Sequence, residues 1–237
     1  MNLFIDIGNT NLKIKYNNKI IRININKIYG PHELFNMLPG ELKEEVINEV
    51  TICSVVPSKE EIIIKMINNN FDARIYLIGP TMKTGIKLNI DHPKLLGKDL
   101  VALSAYAASK GKNVIVVNFG TANTIIHVKN NTLNGAVISP GIKTQYDALI
   151  KNTSQIHDII LTNSKKAIGK NTQEAVSLGI INITYKGIES IIKEIDPLAS
   201  VYYSGGNAAL FKSLLGYEYV EEATLLGIEL IKRKNEK

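Results

Sequence analysis

Two short stretches of the chain, 112 residues apart, share one plan. Residues 4–14 read FIDIGNTNLKI and residues 117–128 read VNFGTANTIIHV. In each, an apolar strand breaks for a small polar turn and resumes as a second strand. Asp6 aligns with Asn118, Gly8 with Gly120 and Asn11 with Asn123. One strand–glycine–strand hairpin reads as an ordinary tight turn. The repeated Asx-x-Gly-x-x-Asn spacing predicts a duplicated α/β fold with two similar halves, 1–112 and 113–237.

The rest of the pattern fits mixed sheets with helices. Strands are expected at 2–7, 12–16 and 19–25, a meander of antiparallel character. A helix starts at Pro31, where an early proline is favoured. VTICSVVP (50–57) is a buried strand. Ser58 is expected to cap the next helix, with Glu61 three residues on. Residues 74–79 form a strand, and 80–98 a long irregular connector, a length that often carries function. Helix follows over 99–109, strands over 113–118 and 133–138, and helix over 142–150. After GKNT (169–172) comes an apolar-periodic helix that runs on to Ile195. VYYSGGNAAL (201–210) reads as strand, Gly-Gly, helix. A last helix over 222–234 carries a basic final turn that suits its dipole.

The turn chemistry suggests a ligand. Gly8, Asn9, Thr10 and Asn11 offer backbone N–H groups, a hydroxyl and amides at one point. Glycine lets a ligand approach the backbone, and successive N–H groups form an anion-binding nest. Asp6 cannot bind phosphate itself, but it can hold Mg²⁺, which bridges phosphate oxygens. Gly120, Thr121, Ala122 and Asn123 repeat the device, and in a two-lobed fold the two hairpins could face each other across a polyphosphate. Gly205 and Gly206 would let the backbone approach a nucleoside, with a helix start nearby. The pattern is not GxxxxGK[ST], which is absent. Asp99, at a helix start after the connector, reads as a first-turn charge or as a base for an acceptor hydroxyl. Lys13 faces either phosphate or solvent.

Composition narrows the class. The net charge is +6, but the lysines are scattered and there is no Trp to stack on bases, so nucleic acid is not the expected partner. No apolar run approaches a membrane span and no secretory signal is evident. The single cysteine, Cys53, cannot form an internal disulfide, which fits a cytoplasmic setting; in its apolar strand it reads as core. His32, His92, His127 and His157 show no ligand spacing. Tyr146 and Asp147 line a pocket or lie on a helix surface.

In this order, the segments resemble the type III pantothenate kinases over nearly the whole chain: DIGNTN (6–11), SVVP (54–57), DHPKLLGKD (91–99), FGTANT (119–124), GAVISPGI (135–142), IGKNT (168–172), SGGNA (204–208) and TLLGIELI (224–231). The resemblance implies an actin-like ATPase fold of two duplicated ribonuclease-H-like domains, working as a homodimer. It implies ATP-dependent phosphorylation of pantothenate, the first step toward coenzyme A. It places Asp6 at Mg–ATP, Thr121 at the phosphates, Asp99 as general base, Gly97, Lys98 and Leu100 at the substrate, and Thr172 on pantothenate from a neighbouring subunit.

Two positions depart from the family. Its Gly-x-Asp-Arg reads Gly97-Lys98-Asp99-Leu100, and leucine cannot replace an arginine that grips a carboxylate. Asn118 stands where the family commonly has Asp at a monovalent-cation (K⁺ or NH₄⁺) site; it keeps an oxygen ligand and loses the charge. The alternatives are a non-catalytic or altered-substrate relative that keeps the nucleotide-binding fold, and a sugar- or acetate-type kinase, against which the short chain argues.

Overall fold

The computed structural model describes residues 1–79, 82–156, 158–163 and 166–236. It divides into two compact units: residues 1–87, 91–109 and 223–237 form the first, and 88–90 with 110–222 the second. The second unit takes up the chain at Lys110, and the closing segment, 223–237, packs in the first unit.

The first unit is built on β1 (Asn2–Ile7), β2 (Asn11–Tyr16), β3 (Lys19–Asn24), β4 (Glu49–Ser54) and β5 (Arg74–Leu77). Their sheet order is β3-β2-β1-β4-β5. The meander β1-β2-β3 is antiparallel, and β4 and β5 add in parallel beside β1. Helices α1 (Pro31–Met37), α2 (Gly40–Lys43), α3 (Pro57–Asn70) and α4 (Lys98–Lys110) complete it, with the closing helix, designated α7 (Ala223–Arg233). Ile5, Ile7, Leu12, Ile14, Ile52 and Ile63 are fully buried in its core.

The second unit repeats that order. Strands β7 (Asn113–Phe119), β8 (Ala122–Lys129), β9 (Thr132–Pro140), β10 (Ser200–Ser204) and β11 (Glu218–Tyr219) run β9-β8-β7-β10-β11, with the two-residue β6 (Lys87–Leu88) added at the β9 edge. Again the first three are antiparallel and the last two parallel to the first. Helices α5 (Ile142–Lys151) and α6 (Thr172–Ile195) lie between β9 and β10 in sequence. Phe119 stacks on Phe211 at 4.1 Å and meets Tyr203 edge-on, anchoring a core that includes Ile115, Val117 and Ile181. The repeated topology is that of an actin-like fold, two ribonuclease-H-like units with mixed sheets.

Three local expectations are corrected. Helix α3 begins at Pro57 with Val56 as its cap residue and no side-chain cap bond. Ser58 lies inside the first turn because proline's fixed φ already suits the first helical position. The stretch after Gly206 is only a 3₁₀ turn, Ala208–Phe211, too short to carry a helix dipole to a ligand. The two hairpin turns also differ by one residue. Gly8 N–H donates to Asn11 O at 3.0 Å, whereas Gly120 N–H donates to Ala122 O at 3.1 Å. The counterpart of Asn11 is thus Ala122, and Asn123, opposite Phe119, takes the place of Leu12, opposite Ile7. Because side chains alternate across a strand, that single residue turns Asn123 inward.

Helix α7 is fastened to the first sheet by charge as well as by Leu225, Ile228 and Ile231. Lys232 is only 3% exposed, yet it pairs with Glu49 at 2.8 Å and lies 4.3 Å above the Tyr76 ring, whose hydroxyl also donates to Glu49. Lys15 and Arg233 both pair with Glu229. At Gly227 a Cβ would sit 1.8 Å from the Ala102 carbonyl oxygen, so only glycine lets α7 approach α4 this closely. The bond from Lys232 holds the Glu49 carboxyl below its usual range. Its contribution to stability is therefore present above the ordinary carboxylate range and lost as pH falls through the lowered native value. Lys232→Ala should lower unfolding free energy by about 2 kcal/mol, less than a fully buried pair because Glu49 is partly solvated. Urea unfolding of variant and wild type at neutral pH measures this, and the difference should shrink in acid.

Candidate functional site

In the first unit the carboxyl ends of β1 and β4 collect the chemistry. The parallel register sets Asp6 beside Cys53 and Ile7 beside Ser54, and Val55 N–H continues it to Ile7 O at 3.1 Å. Loops at the carboxyl ends of parallel strands are where open α/β sheets bind ligands. The β1–β2 turn begins here, with Asn9 and Thr10 exposed and Gly8 and Asn11 half-buried. Asp6 is 8% exposed. Lys13, its cross-strand neighbour, brings Nζ to 3.8 Å from the Asp6 carboxylate with most of its side chain covered, so the solvated reading of Lys13 does not hold.

The start of α4 reaches the same edge. At Gly97 a Cβ would lie 2.5 Å from Asp99 Oδ1 and 4.0 Å from Val55 Cγ1. Gly97 thus permits the Asp99 carboxylate to fold back beside the end of β4. Asp99 Oδ1 accepts from Leu100 N–H at 2.9 Å. Burial raises the Asp99 carboxyl above its usual range, with that backbone donor opposing. Lys98 pairs with Glu60 of α3 at 3.5 Å. The Leu100 side chain is apolar and buried at 7% exposure, so it cannot grip a substrate carboxylate as an arginine would. Burial pushes the Cys53 thiol well up; the fields of Asp6 and then Asp99 add to this, Lys98 opposes it and Glu60 adds a little. Cys53 is fully buried in the apolar cluster beneath α7, a core residue as its strand implied.

The second unit builds a parallel arrangement at the ends of β7 and β10. Ser204 lies beside Asn118. Gly205 has φ +104°, and a Cβ there would sit 2.4 Å from Phe119 O. Asn207 donates from its backbone to Phe119 O and from its side chain to Gly120 O. From the other side, Gly141 N–H and the Thr144 hydroxyl both donate to Thr121 O. At Gly141 a Cβ would meet Gly120 O at 2.2 Å. Asn123 Nδ2 donates to Pro140 O, while its Oδ1 and the Thr124 hydroxyl are buried without a hydrogen-bond partner. Asn118, Gly120, Thr121, Ala122, Asn123, Gly205 and Gly206 are therefore gathered by three loops, of which the Pro140–Gly141 loop and Asn207 were not singled out as site residues. Their signal was the neighbouring glycine, which marks where two backbones must touch.

Thr172 opens α6, exposed. Asn171 caps the helix through Glu174 N–H, and Glu174 accepts from Lys170 N–H and Lys166, a reciprocal cap that fixes the loop. A groove of about 700 Å³ runs along this end of α6, lined by Gln145, Leu149, Gly169, Thr172, Ile180 and Ile183 among others. Tyr146 accepts from Ile159 N–H, and Asp147 is an exposed partner of Lys143. His127 is half-buried against Asn113, and His157 lies outside the described residues. Among the described residues no cluster of three or more His, Cys, Asp or Glu side chains could hold a metal alone, and no helix is long and apolar enough to cross a membrane. Mg²⁺ bound with a nucleotide needs only one or two carboxylates besides phosphate and water, a demand that Asp6 meets.

Solved structures share this fold. A Campylobacter jejuni protein described as a Baf family transcriptional activator superposes with TM-score 0.65 at 22% identity, covering 98% of both chains. A 2-dehydro-3-deoxygalactonokinase structure from Sinorhizobium meliloti gives 0.61 at 12% identity, covering 99% of this chain and 96% of that one. In sequence, a type III pantothenate kinase of Mycoplasma mobile is 34% identical over 236 residues, 97% of each chain. One from Acholeplasma laidlawii is 29% identical over 99% of each. The family model described as type III pantothenate kinase matches residues 2–194, and the chain belongs to that family.

Proposed function

We propose that the protein transfers the terminal phosphoryl group of ATP to pantothenate, giving 4′-phosphopantothenate, the first step of coenzyme A biosynthesis, in the cytoplasm. The observation that carries this reading is Asp99, a half-buried carboxyl raised by burial, set beside the end of β4 at the strand edge where Asp6 also lies. Phosphoryl transfer asks the protein for positioning and charge compensation more than for covalent chemistry. Asp99 accepts the proton of the acceptor hydroxyl as the new O–P bond forms. The turn N–H groups from Gly8 to Asn11 and from Gly120 to Asn123, with the Thr10 and Thr121 hydroxyls, are assigned to the phosphates. Gly205 and Gly206 are assigned to the nucleoside. Lys13 balances the charge at Asp6. Asp6 would hold Mg²⁺, which neutralises phosphate charge when bound. Asn118 would offer an amide oxygen to a monovalent cation, a weaker ligand than a carboxylate.

The homodimer belongs to the same reading. Thr172 stands exposed at the mouth of an apolar groove whose rim includes Ile183, 74% exposed on α6. A second copy of the chain covering this face would bury Ile183 and bring Thr172 to a neighbour's pantothenate.

Asp99→Asn should lower kcat at least a hundredfold, the usual contribution of a positioned base, with little change in ATP binding; ADP release under saturating substrates reports it. Because the Asp99 carboxyl is raised, the acid limb of kcat/KM should lie above the ordinary carboxylate range. The same burial makes the charged form a cost to the fold at neutral pH. Asp99→Asn should therefore melt higher than wild type at pH 7, and the gap should close as pH falls and the native carboxyl takes up its proton. Mixing Asp99→Asn protomers with Thr172→Val protomers should restore about a quarter of wild-type activity if half the dimers are mixed and each holds one intact site. No recovery on mixing would place Thr172 outside the neighbour's site.

A further inference from the structure

The first turn of α4 offers pantothenate two ends rather than one. We propose that the Lys98 ammonium receives the acceptor's carboxylate, and that Glu60 is a positioning residue that holds this ammonium clear of Asp99. The proposal rests on the reading of Asp99 as the base. Pantothenate carries its reacting hydroxyl and its carboxylate at opposite ends of the molecule. A site for it needs a proton acceptor and a cation that do not neutralise each other.

Consecutive residues on a helix diverge by about 100°, so Lys98 and Asp99 leave the same turn in different directions. The Asp99 carboxylate folds back over Gly97 and takes its own turn's N–H. Lys98 goes instead to Glu60, with Nζ 3.5 Å from Oε2. Glu60 sits in the first turn of α3, which opens at Pro57, and its side chain is 19% exposed against 39% for Lys98. The acid is thus the more covered member, and the ammonium is the open one, with donors left over for an incoming anion. The neighbouring cations are otherwise engaged: Lys13 lies against Asp6, and Lys59 donates to the Ile28 carbonyl at 2.6 Å. Burial raises the Asp99 carboxyl, and its backbone donors oppose this. Without Glu60's charge, Lys98 is free to swing onto Asp99, which costs the base as well as the anion site.

The test uses the full chain with ATP and Mg²⁺ and compares two acceptors: pantothenate, and panthenol, which keeps the hydroxyl and replaces the carboxylate with an alcohol. Lys98→Met should raise KM for pantothenate about tenfold, the worth of one charge-assisted hydrogen bond, and leave panthenol within twofold. Lys98→Arg, which keeps the charge, should raise KM for pantothenate less than Lys98→Met does. Glu60→Gln should raise KM for pantothenate alone and lower kcat with both acceptors, and Glu60→Asp should recover part of each. A Lys98→Met enzyme whose KM rises equally for both acceptors, or for neither, overturns the proposal while the Asp99 reading stands. A wild-type enzyme that turns over neither acceptor overturns both. Glu60→Gln changes that follow a lowered melting temperature and ignore acceptor charge reduce Glu60 to a structural partner of Lys98.

Discussion

The parallel pairing of β1 with β4 is the constraint on which the first unit's chemistry depends. It sets Asp6 level with Cys53 and carries on through the Val55–Ile7 hydrogen bond, so both strands end at one edge. Everything placed there follows from that edge: the polar turn after β1, the start of α3 after β4, and the start of α4 folded against Val55. The second unit obeys the same rule with β7 and β10, where Ser204 stands level with Asn118. A purely antiparallel meander would put successive turns at opposite ends and could not gather them.

Much of this was legible in the sequence because hairpins and buried strands are local. The β1, β2 and β3 boundaries follow from alternation and from the turn residues. The duplication follows from a spacing match, and the repeated sheet order bears it out. What escaped was decided by contacts between distant segments. The one-residue difference between the turns shows only in the cross-strand register, so Asn11 and Asn123 look alike in sequence and face differently in space. Ser58 and Glu61 resemble a cap, but Pro57 had already fixed the helix start. Glu60 carries no local signal, because only the fold brings Lys98 to it. The connector's Gly97 gave no hint that its missing side chain is where Asp99 goes.

The glycines of the site serve packing before they serve any ligand. Gly97 makes room for a carboxylate, Gly205 for the Phe119 backbone and Gly141 for the Gly120 carbonyl. Each removes a side chain so that two backbones, or a backbone and an acid, can lie in contact. The turns keep their shape because loops on either side hold them, which is the preorganisation that electrostatic catalysis requires.

The return of α7 to the first unit makes that unit discontinuous. During synthesis, strands β1 to β5 leave the ribosome long before the helix that covers Cys53 and neutralises Glu49 exists. The second unit is nearly continuous and can close first. The nascent amino-terminal sheet must therefore wait, with part of its apolar face uncovered, until α7 has been made and can return to it.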